Sequence, residues 1–319
     1  MELILFIVLF FVIYIVGGSV IILFLFRILM PFIGRFIKDE ERKLPKEKLR
    51  TQNNIEKPLK HFIITRFNLS VSDKNWMNYR MEIFTKYCLP SVLNQSNKNF
   101  IWLICLDTDT DTDFKTFFLN LHKKYNFIVP LFINGMQDFD VMHKHHIINH
   151  IQDADYVVTS RLDNDDIIHK DYIKRIQEQF NYQKYMAVNF LKILIISTET
   201  EKKLHIDYSF SNHFISLIER VNKNKFKGCY DKKDRAWDVK GEIIQITNKP
   251  YVTETINGRN LLNNFRGFPV TRKTALNDFG LNGIYSNKLF DKANFKLHKM
   301  CWRKLAIYLK LCITTAINQ

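Results

Sequence analysis

The strongest chemical signal in this chain is the stretch YVVTSRLDNDD, residues 156–166. An apolar, β-branched run ends abruptly in Asp163, Asp165 and Asp166, with Asn164 between them, and a helical pattern from Lys170 to Phe180 follows. A buried strand that emerges into clustered carboxylates puts hard oxygen ligands at the carboxyl edge of a sheet, where open α/β sheets bind ligands. Such oxygens suit Mg²⁺ or Mn²⁺ held together with substrate phosphates. Taken alone, the same residues also suit a solvated turn or a helix cap, because Asp and Asn favour both.

The elements upstream favour the ligand site. His61 to Asn68 reads as a first strand running into a polar loop. Tyr79 to Leu93 reads as a helical region broken by Pro90, with Ser91, Asn94 and Gln95 at its end. Phe100 to Leu106 is a second buried strand, and it too ends in an acid, Asp107. Phe127 to Phe132 and Tyr156 to Ser160 supply further strands, each preceded by a helical pattern. Strands alternating with helices imply βαβ units and a largely parallel sheet.

Five segments in this order carry a family resemblance: HFIITRFN, YCLPSVLNQSNKNFIWLICLD, SRLDNDDIIHKDYI, SNHFISLIE and INGRNLLNNFRG. They extend from His61 to Gly267. The order of strand, SVLNQS segment, strand ending in Asp, and strand ending in LDNDD resembles the nucleotide-binding half of GT-A glycosyltransferases, especially inverting family 2. The segments together resemble a bacterial family of rhamnosyltransferases. The resemblance implies an α/β, GT-A-like fold with a mixed, mostly parallel sheet flanked by helices. It implies that Asp163 and Asp165 form the Asp-x-Asp metal and diphosphate site, with Asp166 a further ligand or a support behind it. Asp107, Thr65, Arg66, Arg161 and Arg266 are then implied as nucleotide-sugar-binding residues, and Mn²⁺ or Mg²⁺ as the cofactor. The chain departs from family 2 in two places. Its first strand runs into Thr-Arg-Phe-Asn in place of Pro-x-Tyr-Asn, and Asn263 to Gly267 is only a loose echo of Gln-x-x-Arg-Trp.

Other constellations carry less. Asp107, Asp109, Asp111 and Asp113 have the spacing of an EF-hand loop, but its sixth position is Thr112 and its twelfth Phe118. Without Gly and Glu there, a calcium loop is excluded, and a helix start with carboxylates near its positive end is the better reading. His143, His146 and His150 share a helical face with His145 beside them, yet no Cys or carboxylate completes a metal spacing, so a polar face near the donor pocket is expected. Asn257-Gly258 reads as a tight turn.

No charged residue occurs from Leu3 to Phe26, and at about 1.5 Å per residue a helix of that length spans a bilayer's hydrocarbon core. No basic region precedes the run and no small-x-small site follows it, which disfavours a cleaved signal peptide. Arg27, Arg35, Lys38, Arg42 and Lys43 follow it, while only Met1 and Glu2 precede it. The positive-inside rule then predicts a single-pass membrane protein with its body in the cytoplasm. The expected layout is an anchor with its juxtamembrane segment at 1–37, a linker at 38–58, a catalytic domain at 59–270 and a basic C-terminal extension at 271–319. Within that extension, Cys301 to Ile313 reads as an amphipathic helix suited either to a membrane surface or to packing on the catalytic domain.

After the anchor, the 319-residue chain leaves enough for one sizeable α/β domain. Its 5 scattered Cys lack paired spacing, which argues for a reducing compartment. The net charge of +15 is explained by an anchored protein beside anionic lipid, without a nucleic-acid partner.

The expectation is a membrane-anchored, metal-dependent, inverting glycosyltransferase. Its donor would be a nucleotide sugar, with rhamnose as the sugar the family name implies, and its acceptor a cell-surface glycan or lipid-linked glycan. Membrane lipids complete the list of partners. Asp207, Glu219 and Asp238 are candidate bases for the acceptor hydroxyl. Two rivals remain: a nucleotidyl- or phosphotransferase using the same carboxylates, which lacks a Gly-rich phosphate loop, and a non-catalytic scaffold of a glycan assembly complex.

Overall fold

The apolar runs pair in parallel. In the computed structural model, which describes residues 59–151, 154–198, 204–233, 237, 243–257, 266–269 and 276–281, β1 (Leu59–Arg66) is flanked by β2 (Ile101–Asp107) and β4 (Tyr156–Arg161). Next to β2 lies β3 (Ile128–Ile133), so four parallel strands stand in the order β3-β2-β1-β4. Beyond β4 the sheet turns mixed. There β9 (Ser216–Arg220) runs antiparallel between β4 and β6 (Tyr185–Phe190), and β10 (Ile243–Ile246) closes the seven strands parallel to β6.

Both faces of this sheet are covered, which is why its central strands are apolar throughout instead of alternating. On one face Ile63, Trp102, Ile104 and Val158 pack with Phe84 and Phe118. Those two rings come from the π turn Phe84–Cys88 that follows α1 (Lys74–Ile83) and from α3 (Thr112–Lys124). On the other face Phe62, Ile64, Leu103 and Cys105 meet Phe139, Ile147 and Ile151 of α4 (Phe139–Ile151). The chain leaves β1 towards β2 on one side and arrives at β4 from β3 on the other. The carboxyl ends of β1 and β4 therefore bound a topological switch point, where a crevice opens.

A second, five-stranded sheet was not legible beforehand. It joins β12 (Phe268–Pro269), β8 (Leu204–Tyr208), β7 (Lys192–Ser197), β11 (Val252–Ile256) and β5 (Ile167–Ile168) in that order. Its edge strand β5 directly follows the acidic loop, so pairing with β11 fixes that loop from one end.

Three local details differ from expectation. The helix expected from Tyr79 begins earlier, at Lys74, where Asp73 accepts the Asn75 and Trp76 backbone N–H groups at 2.7 and 3.0 Å. Pro90 does not break it, because the π turn leads straight into α2 (Leu89–Leu93) with Pro90 in its first turn. Proline has no N–H for the carbonyl four residues back, and the wider turn absorbs that mismatch. The pattern from Lys170 to Phe180 gives only α5 (Tyr172–Gln177). Among the described residues no helix is long and apolar enough to cross a membrane. The expected span from Leu3 to Phe26 and the helix from Cys301 to Ile313 both lie outside the described residues.

Candidate active site

Strand β4 delivers the acids. Its ladder with β1 continues one residue past the strand, through the Leu162 N–H to the Ile64 carbonyl at 3.2 Å. The chain then turns, with the Asp166 N–H reaching the Asp163 carbonyl at 3.2 Å. Asn164 pins this turn to the end of β1 by donating to the Phe67 carbonyl at 3.0 Å. From the second sheet, the Thr255 hydroxyl donates to the Asp165 carbonyl at 2.7 Å, and its N–H reaches the Asp166 carboxylate at 3.3 Å. An acidic loop held from both sheets is pre-organised, and its charges cannot relax apart.

The three carboxylates point to different partners. Arg161 grips Asp163 with two parallel bonds, Nε to Oδ1 at 3.1 Å and an Nη to Oδ2 at 3.0 Å. Asp165 is met by Arg80 of α1, which also lies 5.2 Å from the Trp76 ring, and by the Asn257 amide at 3.2 Å. The Nε2 of His213 lies 2.7 Å from Asp166. As a result Asp163, Asp166 and His213 each offer one ligand atom, all within 4.8 Å of one another. Asp165 stands apart from that trio, against its arginine.

The electrostatics follow the partners. Burial pushes Asp163 up, but Arg161, His213 and Arg66 outweigh it and hold the carboxyl down at about 2. Asp165 is raised, by burial first and by Asp163, with Arg80 opposing. Asp166 is raised too, by burial first and then by Asp165 and Asp163, while His213 opposes. Burial would lower His213, yet Asp166 and Asp163 bring it above its ordinary value. A cation bound here would take over from the imidazole proton as partner of the two crowded acids, since histidine ligates a metal only after losing that proton. One oxygen from each acid and one imidazole nitrogen fit Mn²⁺ or Mg²⁺, the nitrogen favouring the former.

The other expected residues divide. Arg66 and Arg161, at the carboxyl ends of β1 and β4, both approach the Tyr230 ring, at 4.9 and 5.7 Å from its centre. Asp107 ends β2 as expected, and its carboxylate accepts the Ser70 N–H at 2.7 Å and the Asp109 N–H at 3.0 Å, tying the loops after β1 and β2 together. Thr65 belongs to the core. It is wholly buried on the opposite face of β1 and accepts the Trp102 indole N–H at 2.9 Å, because alternate strand residues face opposite sides. Arg266 is engaged by acids of the second sheet, in a bidentate pair with Glu254 at 2.6 and 3.0 Å and in a bond to Asp207 at 2.9 Å.

Among the candidate bases, Asp207 is thus an ion-pair partner. Glu219 accepts the Lys227 and Gly228 N–H groups at 3.0 and 2.7 Å, and Asp238 lies outside the described residues. Asp111 caps α3, accepting the Asp113 N–H at 3.0 Å, which accounts for the acidic run there. The histidine face of α4 is less polar than expected, since His143 is wholly buried and stacked on Phe139. Sequence reasoning missed His213 and Arg80. His213 sits in the SNHFISLIE segment that carried the resemblance, but its pairing with Asp166 spans 47 residues and leaves no local trace.

A family model described as "Putative rhamnosyl transferase" matches residues 65–263. The chain belongs to that family. The rhamnosyl transferase match takes in the acidic loop, His213, Arg80, the carboxyl end of β1 and the whole of β4. No curated protein matches the chain. Among solved structures, S. aureus TarS 1–349 aligns at 13% identity and a TM-score of 0.37, over 61% of this chain and 60% of that one. The same fragment in complex with UDP aligns at 12% and 0.37, over 62% and 60%. S. aureus TarS itself aligns at 12% and 0.38, over 62% and 37%. This chain therefore spans about 60% of the TarS fragment's length.

Proposed function

We propose that this rhamnosyl transferase family member is a GT-A-type glycosyltransferase that moves a sugar, rhamnose by family, from a nucleotide-sugar donor to a glycan acceptor. The observation that carries this reading is the trio of Asp163, Asp166 and His213 at the carboxyl edge, beside the β1–β4 switch point. The acid-bearing strand ends, the four parallel strands and the antiparallel β9 agree with the GT-A layout that the resemblance implies.

In this reading Asp163, Asp166 and His213 hold a divalent cation, which when bound supplies positive charge for the diphosphate that leaves. Asp165 keeps a different role. Its charge is balanced by Arg80, so it fixes the loop against α1 and Asn257. Arg161 orients Asp163 through its two-pronged grip. Attack by the acceptor hydroxyl from the face opposite the leaving nucleoside diphosphate gives inversion, the hydroxyl proton passing to a carboxylate base, for which Asp238 is a candidate from the sequence. Membrane anchoring through the run from Leu3 to Phe26, with the catalytic part cytoplasmic and the acceptor lipid-linked, completes the proposal. It is supported by the basic flank after that run.

Equilibrium Mn²⁺ binding tests the trio. Asp163→Asn, Asp166→Asn and His213→Gln should each weaken Mn²⁺ by ~10–100-fold, whereas Asp165→Asn should weaken it far less. Equal losses for Asp165→Asn and Asp163→Asn would return the site to the simple Asp-x-Asp pair. Unchanged binding in all four would remove the metal from the reading.

A further inference from the structure

Arg66 ends β1 at the carboxyl edge, half-buried, with its guanidinium 4.9 Å from the Tyr230 ring centre and 5.8 Å from that of Phe139. Arg80, Arg161 and Arg266 each sit on a carboxylate. Arg66 meets no carboxylate and no hydrogen-bond acceptor among the described residues. Behind it, His143 is fully buried, 4.3 Å from Phe139 and 6.1 Å from Tyr230 ring to ring, and its Nε2 also lacks a hydrogen-bond partner among the described residues. One wall of the crevice thus carries a charge and a buried polar nitrogen that the described residues leave unanswered.

A half-buried cation with no anion among the described residues is a cost to folding that a bound anion would offset. Aromatic faces reduce that cost by attraction to the ring quadrupole, and they hold the guanidinium in place without neutralising it. Arg66 ends β1 and the acidic loop follows its parallel partner β4, so a planar cationic fork and the acids share one carboxyl edge, where a metal-bound diphosphate would meet both.

We propose that Arg66 is the metal-independent diphosphate-binding residue of this site, its guanidinium taking two phosphate oxygens in a fork that lysine cannot reproduce. Phe139 and Tyr230 are its positioning residues. The proposal rests on the nucleotide-sugar reading for the identity of the ligand, but not for the existence of the anion site.

The test uses the full chain in detergent and two probes, inorganic pyrophosphate and UDP, titrated with Mn²⁺ and with EDTA. Wild type should bind pyrophosphate even in EDTA. Charge-assisted hydrogen bonds of this kind predict that Arg66→Gln weakens both probes by ~10–100-fold in either condition. Arg66→Lys, which keeps the charge and guards against a misfolded Gln variant, should recover only part of the affinity. Uridine binding and the ligand-free thermal midpoint should not fall in either variant. Asp163→Asn should lose the Mn²⁺ enhancement and keep the EDTA-resistant component. Pyrophosphate affinity equal to wild type in Arg66→Gln, or in Arg66→Lys if the first variant does not fold, overturns the proposal. If Arg66 governs pyrophosphate binding but no nucleotide sugar is ever consumed, the anion site stands and the glycosyl-transfer reading falls. If sugar transfer proceeds in Arg66→Gln with unchanged KM and kcat, the reverse holds.

Discussion

Removing the Arg266 guanidinium should unfold this protein more readily without touching donor chemistry directly. Arg266 bridges Glu254, which is fully buried, and Asp207, also buried, while keeping 24% of its own side-chain surface exposed. Arg266→Met would remove the cation that both of these buried carboxylates face. Breaking a buried pair by deleting one partner costs about 3–5 kcal/mol. At roughly 2–4 °C per kcal/mol for large domains, the thermal midpoint should fall by about 6–20 °C. Circular dichroism melts of wild type, Arg266→Met and the triple variant Asp207→Asn/Glu254→Gln/Arg266→Met separate the causes. The triple variant should regain most of the loss, because the stranded charges are gone. Nucleotide affinity at a temperature where all three are folded should change little. An Arg266→Met protein that melts like wild type but no longer binds nucleotide would refute this reasoning and return Arg266 to the donor pocket.

Two further outcomes follow from the same physics. Gly267 has φ +87°, and a Cβ there would collide with the Ile206 carbonyl oxygen on the neighbouring strand, so Gly267→Ala should cost at least about 1–3 kcal/mol in urea unfolding. His61 is buried against Ser160, and burial lowers its pKa to about 3. Its folded value lies below its unfolded one, so the stability it confers is present above about pH 6.5 and is lost as pH falls towards 3. The loss should reach about 3 kcal/mol near pH 4, and His61→Gln should flatten the stability profile in that window; an equally steep profile in the variant would assign the slope to other groups, such as His143, which burial also lowers, to about 4.

The parallel half of the sheet was legible because buried parallel strands announce themselves as apolar, β-branched runs, and because Asp107 and Asp163 mark where two of them end. The second sheet was not, since β5 and β12 contribute only two residues each and acquire meaning only from distant partners. Within the site, local spacing pointed to Asp163 and Asp165 as a pair. The Arg80 and Asn257 contacts to Asp165 span 85 and 92 residues, and no local pattern encodes them. Thr65 and Arg66 stand one residue apart, and strand parity alone buries Thr65 against Trp102 while Arg66 meets Phe139 and Tyr230 on the other face.

Release of nucleoside diphosphate from a panel of nucleotide sugars, with Mn²⁺ present and the detergent-solubilised full chain as enzyme, tests the central claim most directly. The account predicts release from at least one sugar nucleotide, a nucleotide-activated rhamnose being the first to try by family, abolished by EDTA and by Asp163→Asn while the variant's fold is kept. Release that persists undiminished in Asp163→Asn, or a wild-type protein that binds Mn²⁺ yet consumes no member of the panel, would contradict it.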